Sequence, residues 1–305
     1  MADADVPAPP AYSRDSTVLR LPGAVSLDDL SPQWAWGGAT GKGVRVAIID
    51  SGIEAGHPAL GGSVDLEGSV RVELAGGDAA TVVAAPPRDS YGHGTACAEI
   101  VHRLAPEASL SSIRVLGPSL GGRAAAFLKG LAWAIEQGFD IVNLSLGTYR
   151  EDWALAFYEL CDLAYFRNCF VVTAANNVAR PSFPSMYGSV ASVACNTATD
   201  PFRFHYNPDP PTEFLARGID IDVAWLDGGR IRATGNSFAA PHIAGVAALI
   251  RSKHATLRPF QLKTVLWATA ANVRESTGRP IAAGRLSRTM RRATVSPRAT
   301  TALRL

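Results

Sequence analysis

From Gly41 onward, short apolar segments rich in β-branched residues alternate with longer segments that have helical spacing. Val44–Ile49 is a segment of the first kind, and Gly121–Ile135 is one of the second. Such alternation predicts right-handed crossovers and a mostly parallel, twisted central sheet with helices on both faces, which is a three-layer α/β/α fold. Residues 41–273 keep this pattern and are predicted to form one domain.

Strands and helices are predicted in turn along this domain. The other predicted strands are Ser109–Val115, Asp140–Leu144, Cys169–Ala174, Val190–Cys195 and Ile219–Trp225. The other predicted helices are His93–Leu104, Asp152–Phe166, Ser237–Ile250 and Pro259–Ala270. Sites in open parallel sheets form at the carboxyl ends of strands. Asp50, Ser145 and Asn176 lie at such ends, so they are predicted to share one edge of the sheet.

The bulk properties exclude several classes of protein. A chain of 305 residues, 47% of them hydrophobic, suits one large or two small domains with a substantial core. Its net charge of +2 predicts no nucleic-acid or membrane partner, and no apolar run approaches the roughly 20 residues that span a bilayer. The first residues lack a basic start and an apolar stretch, so we expect no secretory signal and a cytoplasmic location. Scattered cysteines are then expected to be reduced; they are Cys97, Cys161, Cys169 and Cys195.

The two ends of the chain differ in composition from the domain between them. Residues 1–40 are rich in Pro, Ala and Asp and are predicted to form an N-terminal arm or short pro-segment. Residues 274–305 are basic, with seven arginines and no acidic residue from Arg279 onward. The expectation for this tail is a solvated, disordered segment, and an acidic partner is the alternative. The sequence does not indicate which oligomeric state the chain adopts.

Three short segments of the domain carry the residue types of a hydroxyl nucleophile system. In chain order they offer the carboxylate of Asp50, the imidazole of His93 and the hydroxyl of Ser237. A serine hydroxyl needs a base to take its proton and a carboxylate to orient that base. Each residue alone has an ordinary structural explanation, such as a helix N-cap or a turn cap. Together, bracketed by glycines and small residues, they favour catalysis.

At these residues the chain resembles the subtilisin-like serine protease family, over roughly Gly41–Val273. Asp50 stands in the family's Asp-Ser/Thr-Gly motif, His93 in its His-Gly-Thr motif, and Ser237 in its Gly-Thr-Ser-x-Ala-x-Pro-His motif. The resemblance implies a serine endopeptidase that cleaves peptide bonds through an acyl-enzyme and needs no cofactor. Asp50, His93 and Ser237 would be its catalytic triad.

The resemblance also implies an oxyanion donor and a peptide-binding cleft. The preceding Val-x-Ala-Ala pattern favours Asn176 as the donor, with the adjacent Asn177 as the alternative. The substrate would bind as an extended strand between two chain segments, because main-chain hydrogen bonds give affinity with little sequence demand. The residues predicted to bind it are Ser145, Leu146, Gly147, Gly121, Gly122 and, at the floor of the first specificity pocket, Ser182. An ordinary loop-to-helix turn is the alternative explanation of the glycine pair.

Four departures from the family pattern qualify this interpretation. Asn236 stands where threonine usually precedes the nucleophile, and Phe238 stands where methionine usually follows it. Ala59 replaces a usual calcium-binding aspartate, so no metal is expected. The segment Asn177–Pro184 is short, so the side chain preferred by the first specificity pocket is not predicted.

Three functions remain open at this stage. The first is a general intracellular serine endopeptidase. The second is a dedicated protease that trims one precursor, such as the leader of a modified peptide. The third is a catalytically lapsed relative that binds peptides without cutting them. A further hypothesis is that residues 1–22 block the cleft.

Overall fold

The central sheet has the predicted parallel character. A computed structural model describes residues 27–75, 78–178 and 180–277. Among them, nine strands form one sheet: β1 Arg45–Asp50, β2 Val70–Leu74, β3 Ala80–Ala84, β4 Ser109–Arg114, β5 Ile141–Leu144, β6 Phe170–Ala174, β7 Ala191–Asn196, β8 His205–Tyr206 and β9 Phe214–Arg217. Their order is β3-β2-β4-β1-β5-β6-β7-β9-β8, and only the edge strands β3 and β8 run antiparallel to their neighbours.

Helices cover both faces of this sheet. In the described chain they are α1 Pro32–Ala35, α2 His93–Leu104, α3 Ala124–Glu136, α4 Ala154–Phe166, α5 Asn236–Lys253, α6 Pro259–Thr269 and α7 Ala271–Thr277. Short 3-10 helices span Leu27–Asp29, Pro58–Leu60 and Glu151–Trp153. Val46 and Ile48 of β1 pack with α2 and α5, whereas Ala47 and Ile49 pack with α3 and α4. The three-layer α/β/α prediction is therefore confirmed. None of the described helices is long and apolar enough to cross a bilayer.

A small hairpin lies outside the main sheet. The predicted strand at 219–225 forms β10 (Ile221–Ala224), which pairs with β11 (Arg230–Ala233) in a separate two-stranded sheet. The hairpin is tied to α2 by the buried Glu99, whose carboxylate accepts from the backbone N–H of Ala224 at 3.0 Å and pairs with Arg230 at 3.1 Å. It therefore covers the first half of α2.

The segment just before the predicted domain also belongs to the packed structure. Leu30 and Ala35 are buried in the core, and the Trp34 ring stacks on His254 with centroids 4.1 Å apart. The segment that contains Leu30, Trp34 and Ala35 thus packs on the domain. Residues 1–26, with the proposed blocking segment, and the basic tail from residue 278 lie outside the described residues.

Two helices begin later than predicted, since the helix expected from Asp152 starts at Ala154, after a 3-10 turn. The helix expected from Gly121 starts at Ala124, and Arg123 is extended at its N-cap. The N–H of Gly117 donates to the carbonyl of Gly121 at 2.9 Å, which closes a loop there instead of a helical turn. The glycine pair is left in an open segment before the helix.

Candidate active site

Asp50 and His93 form a buried pair at the carboxyl edge of the sheet. Asp50 ends the central strand β1 and is 0% exposed, and His93 opens α2 and is 8% exposed. The His93 Nδ1 lies 2.8 and 2.9 Å from the two carboxylate oxygens of Asp50. Nδ1 therefore carries the proton, and Nε2 is left as the acceptor of the neutral ring.

The pair shifts the basicity of the imidazole. Burial alone would lower the pKa of His93, but the adjacent Asp50 carboxylate favours the imidazolium, and the pKa ends well above the usual 6.5. An imidazole held in this way accepts a proton more readily than a free one. This is the electrostatic environment that a general base requires.

The start of α2 is fixed by Asp89. One of its carboxylate oxygens accepts from the N–H of Gly92 at 2.8 Å, and the other accepts from the N–H of Thr95 at 2.8 Å. Gly92 has a φ of 110°, and a β-carbon there would lie 2.7 Å from the Trp225 indole. Only glycine fits this N-cap, so the sequence here fixes the angle at which His93 leaves the loop.

Ser237 lies at the start of α5, near His93. It is the second residue of α5, where backbone N–H groups lack intrahelical partners and the helix dipole favours an anion. His93 and Ser237 both line a cavity of about 620 Å³. Among the described residues the Ser237 hydroxyl makes no hydrogen bond to His93; such nucleophile–base bonds often tighten only when substrate binds.

The structure distinguishes the two candidate oxyanion asparagines. The Asn176 side chain is engaged in its own turn, donating to the carbonyl of Arg180 and accepting from the N–H of Val178, both at 3.3 Å. Asn177 is exposed and lines the large cavity with His93 and Ser237. Its Oδ1 accepts from the backbone N–H of Asn236 at 3.0 Å. The geometry therefore favours Asn177 as the amide that faces the nucleophile. Asn176 stays a prediction from the sequence pattern, since it too lines a cavity with Ser237.

The predicted peptide-binding residues line two adjoining cavities. The large cavity is bounded on one side by the loop before α3 and on the other by the segment after β5. From the predicted set it is lined by Gly121, Gly122, Ser145, Leu146 and Gly147. A second cavity of about 200 Å³ lies between the segment after β5 and the segment after β6, and Ser182 lines it. The structure thus brings all six predicted residues to one cleft.

Two lining residues of the small cavity are held by contacts with the segment at 182–185. Thr148 and Phe183 pair as an antiparallel bridge, with N–H to carbonyl distances of 2.9 and 2.7 Å. The buried Ser182 hydroxyl lies 2.8 Å from that of Ser185. The Ser145 hydroxyl does not face this cavity freely, because it donates to the carbonyl of Ser237 at 2.9 Å. Ser145 therefore helps to hold the nucleophile's backbone.

Cys97 is a site residue that the sequence analysis missed. It follows His93 by one helical turn, so spacing on the predicted helix could have placed it on the same face. Its Sγ lies 3.5 Å from the Ser237 carbonyl oxygen, 3.9 Å from Asp50 Oδ2 and 4.0 Å from His93 Nδ1. Burial raises the pKa of this thiol, which keeps it neutral.

Within the described residues, Asp50, His93 and Cys97 form the one group whose potential ligand atoms are close enough together to hold a metal ion. The potential ligand atoms of Asp50, His93 and Cys97 lie within 4.8 Å of one another. A cation bound there would displace the proton that Nδ1 shares with Asp50, and so would disrupt the base. Ala59, which stands where the family pattern has a calcium-binding aspartate, gives its N–H to the ring of His57 and offers no side-chain oxygen.

Two further residues of α5 follow the nucleophile along the helix. The Phe238 ring lies 5.1 Å from the His93 ring, centroid to centroid, and packs with the hairpin residue Val223. Phe238 therefore forms an apolar wall beside the base. His242 is buried, its Nδ1 donates to the Phe238 carbonyl at 2.9 Å, and burial lowers its pKa to about 4. It is a neutral packing residue.

Comparisons with known proteins agree with this fold. A profile of the Subtilase family matches residues 41–287. Subtilisin DY of Bacillus licheniformis is 32% identical over 254 residues, which cover 78% of this chain and 88% of that protein. Thermitase of Thermoactinomyces vulgaris is 32% identical over 244 residues, covering 73% and 80%. For subtilisin E of Bacillus subtilis, also 32% identical, the match covers 62% of that protein's length.

The solved structures give the same picture. The crystal structure of a cold adapted subtilisin-like serine proteinase superposes with a TM-score of 0.62 at 26% identity, covering 75% of this chain and 82% of the other. The chain therefore belongs to the subtilase family. This membership assigns it to the serine endopeptidases, a class of hydrolases.

Proposed function

We propose that this chain hydrolyses peptide bonds with Asp50, His93 and Ser237 as its triad and Asn177 as its oxyanion donor. The observation that carries the proposal is the double contact of His93 Nδ1 with the buried Asp50 carboxylate, beside a cavity that His93 and Ser237 both line. The wider cleft supports an extended peptide as the substrate. Asn176, the donor that the sequence pattern favoured, is not retained, because its amide is engaged in its own turn.

Acylation is the first half of the reaction. Ser237 Oγ forms a bond to the carbonyl carbon of the scissile peptide while its proton passes to His93 Nε2. The carbonyl oxygen becomes an oxyanion, which the amide of Asn177 and the N-terminus of α5 stabilise. His93 then gives its proton to the leaving nitrogen, the C–N bond breaks, and the amine product departs from an acyl-enzyme.

Deacylation repeats these steps with water. His93 takes a proton from a water molecule whose oxygen attacks the ester carbon of the acyl-enzyme. The second oxyanion collapses, the C–Oγ bond breaks and His93 returns the proton to Ser237. The products are a new carboxyl terminus and the regenerated enzyme, so the cycle needs no redox partner or cofactor.

A fluorophosphonate probe tests the proposal directly. The phosphonate forms a bond to an activated serine oxygen, so wild type should be labelled and Ser237→Ala should not. Ser252→Ala, which changes a half-buried serine near the far end of the same helix, should label like wild type. Folded wild type that resists labelling would overturn the proposal and favour the lapsed peptide-binding function, for which the replacement of threonine by Asn236 is the motivating observation.

The breadth of the substrate range is a finer part of the proposal. We favour an endopeptidase inside the cell, for which the four unpaired cysteines give support. A dedicated precursor-processing enzyme is the alternative, supported by the short segment around the small cavity. Digestion of casein separates them, because a general endopeptidase cuts it within hours and a dedicated one leaves it intact.

A further inference from the structure

The side chain of Asn236 is saturated with hydrogen bonds inside the protein. Its Oδ1 accepts from the backbone N–H of Cys195 in β7 at 2.9 Å. Its Nδ2 donates to the carbonyl oxygens of Ala175 and Asn176, at 3.1 and 3.0 Å. The residue is 9% exposed. An amide has two N–H donors, so neither is left for a bound substrate.

The backbone of Asn236 contacts Asn177, which follows Ala175 and Asn176 in the loop after β6. Its N–H donates to Oδ1 of Asn177 at 3.0 Å. A backbone N–H can only donate, so this contact identifies the oxygen end of the Asn177 amide without ambiguity. The nitrogen end has no partner among the described residues and belongs to a side chain that lines the cleft.

We infer that Asn236 is a positioning residue that holds the loop after β6, and thereby aims the amide nitrogen of Asn177 at the reacting carbonyl. This inference rests on the proposed function. Three bonds from its side chain fix residues 175 and 176 against β7, and the fourth, from its backbone, fixes the side chain of Asn177. The oxyanion donor is thus set by α5, the same helix that carries Ser237.

The chemistry of the side chain explains why an asparagine can do this. Holding the loop after β6 against β7 needs one acceptor for the Cys195 N–H and two donors for the carbonyls of Ala175 and Asn176. A threonine or serine hydroxyl has one donor proton, so it cannot make all three bonds. Asparagine in place of the family's usual threonine therefore lets this position join β7 to the loop after β6 through three side-chain hydrogen bonds.

A double-mutant cycle tests whether Asn236 acts through Asn177. We expect Asn177→Ala to lower kcat by about 10²–10³, the usual cost of removing one oxyanion donor, with little change in KM. Asn236→Ala and the milder Asn236→Ser should each lower kcat by about 10- to 100-fold, because the donor is misplaced. In the Asn177→Ala background the same changes should cost no more than about 2-fold.

Asn272 provides the matched control. Its side chain also bridges backbone groups, donating to the Tyr206 carbonyl at 2.7 Å and accepting from the Tyr206 N–H at 2.8 Å, on the edge strand β8. Asn272→Ala should change kcat by no more than about 2-fold. In the double variant, its effect on kcat should multiply with that of Asn177→Ala, as expected for independent sites. All rates are measured well below the melting temperature of each variant, so that a general loss of folding does not enter.

Two results would overturn the inference. Fully multiplicative losses for Asn236 and Asn177 would mean that Asn236 stabilises the oxyanion or the fold by itself. An Asn177→Ala variant with wild-type kcat would remove the residue through which Asn236 is argued to act. If wild type hydrolyses nothing, the proposed function fails, and side-chain amide NMR still decides the positioning: Asn236→Ser must shift the Asn177 amide signals and Asn272→Ala must not.

Discussion

A β-carbon placed on Gly94 would lie 2.0 Å from the carbonyl oxygen of Gly52. The turn after the Asp50 strand and the first turn of α2 are therefore in contact through their backbones. The N–H of Gly94 also donates to the Ser51 hydroxyl at 3.0 Å, which closes the same contact. The short Asp50–His93 distance depends on this approach.

Gly94→Ala should consequently separate the base from its carboxylate. We expect kcat/KM to fall by at least about 10²-fold, since a displacement near 1 Å suffices for such a loss. The melting temperature should fall as well, because the added methyl group meets backbone that cannot rotate away. Gly188→Ala is the control, since a β-carbon there meets nothing within 4 Å. Equal activity of the two variants would contradict the steric argument.

The raised pKa of His93 predicts the pH dependence. The free base is the active form, so kcat/KM should rise with pH through a midpoint above 6.5 when measured on a peptide substrate between about pH 5 and 10. Asp50→Asn should lower activity by about 10⁴-fold and move the midpoint down, because the charge that stabilises the imidazolium is gone. A wild-type midpoint at or below 6.5 would be inconsistent with the buried pair.

The same shift has a consequence for stability. A histidine whose pKa is higher in the folded state binds its proton more tightly there than in the unfolded chain. Its contribution to the free energy of unfolding is therefore fully present below about pH 6.5 and is lost as pH rises through the folded-state pKa. Denaturant titrations of wild type and His93→Ala at several pH values measure it: the difference between them should shrink as pH rises.

Ser182→Gly should enlarge the small cavity. The hydroxyl by which Ser182 contacts Ser185 would be removed from the lining of this cavity, leaving room for a larger substrate side chain. We expect the ratio of kcat/KM between large aromatic and small residues before the cleaved bond to increase by about 10-fold. Ser185→Ala removes the same hydrogen bond without enlarging the cavity and should leave the ratio unchanged. An unaltered preference in Ser182→Gly would mean that this cavity does not receive that side chain.

The cysteines should resist thiol reagents in the native protein. Burial raises the pKa of Cys161 and Cys169 to about 12 and also raises that of Cys97, so little thiolate is present near neutral pH. Reaction with a chromogenic disulfide at about pH 8 should be at least about 100-fold slower for these three than in denaturant. Cys195, which is partly exposed, should react first, and Cys195→Ser should abolish the early phase. Rapid modification of Cys97 would contradict its burial.

Local motifs were enough to predict Asp50, His93 and Ser237. In the structure His93 contacts the buried Asp50 and lines one cavity with Ser237, and the roles of the three residues stay predictions until activity is measured. Each stands at the end of a strongly patterned strand or the start of a helix, where short-range sequence sets the geometry. The choice between Asn176 and Asn177 could not be made in this way. It depends on Asn236, which is far along the chain and reaches the loop only after the sheet has formed.

The missed strands have a similar physical cause. Val70–Leu74 and Ala80–Ala84 lie at one edge of the sheet and are largely exposed, so they lack the continuous apolar run of the central strands. The two-residue strand β8 is too short to produce a pattern. The predicted strand at 219–225 does exist, but its partner is β11, and local patterning does not specify pairing.

The proposed reacting groups and the cleft segments are supported from opposite faces of the sheet. The helices that carry the proposed base and nucleophile, α2 and α5, pack in one core, whereas the cleft segments on either side run into α3 and α4, which pack in the other. Insertions or substitutions in the second layer can therefore remodel what the cleft accepts while the reacting groups keep their mutual distances. Diversification of such an enzyme, in nature or in the laboratory, would be least damaging when confined to that side.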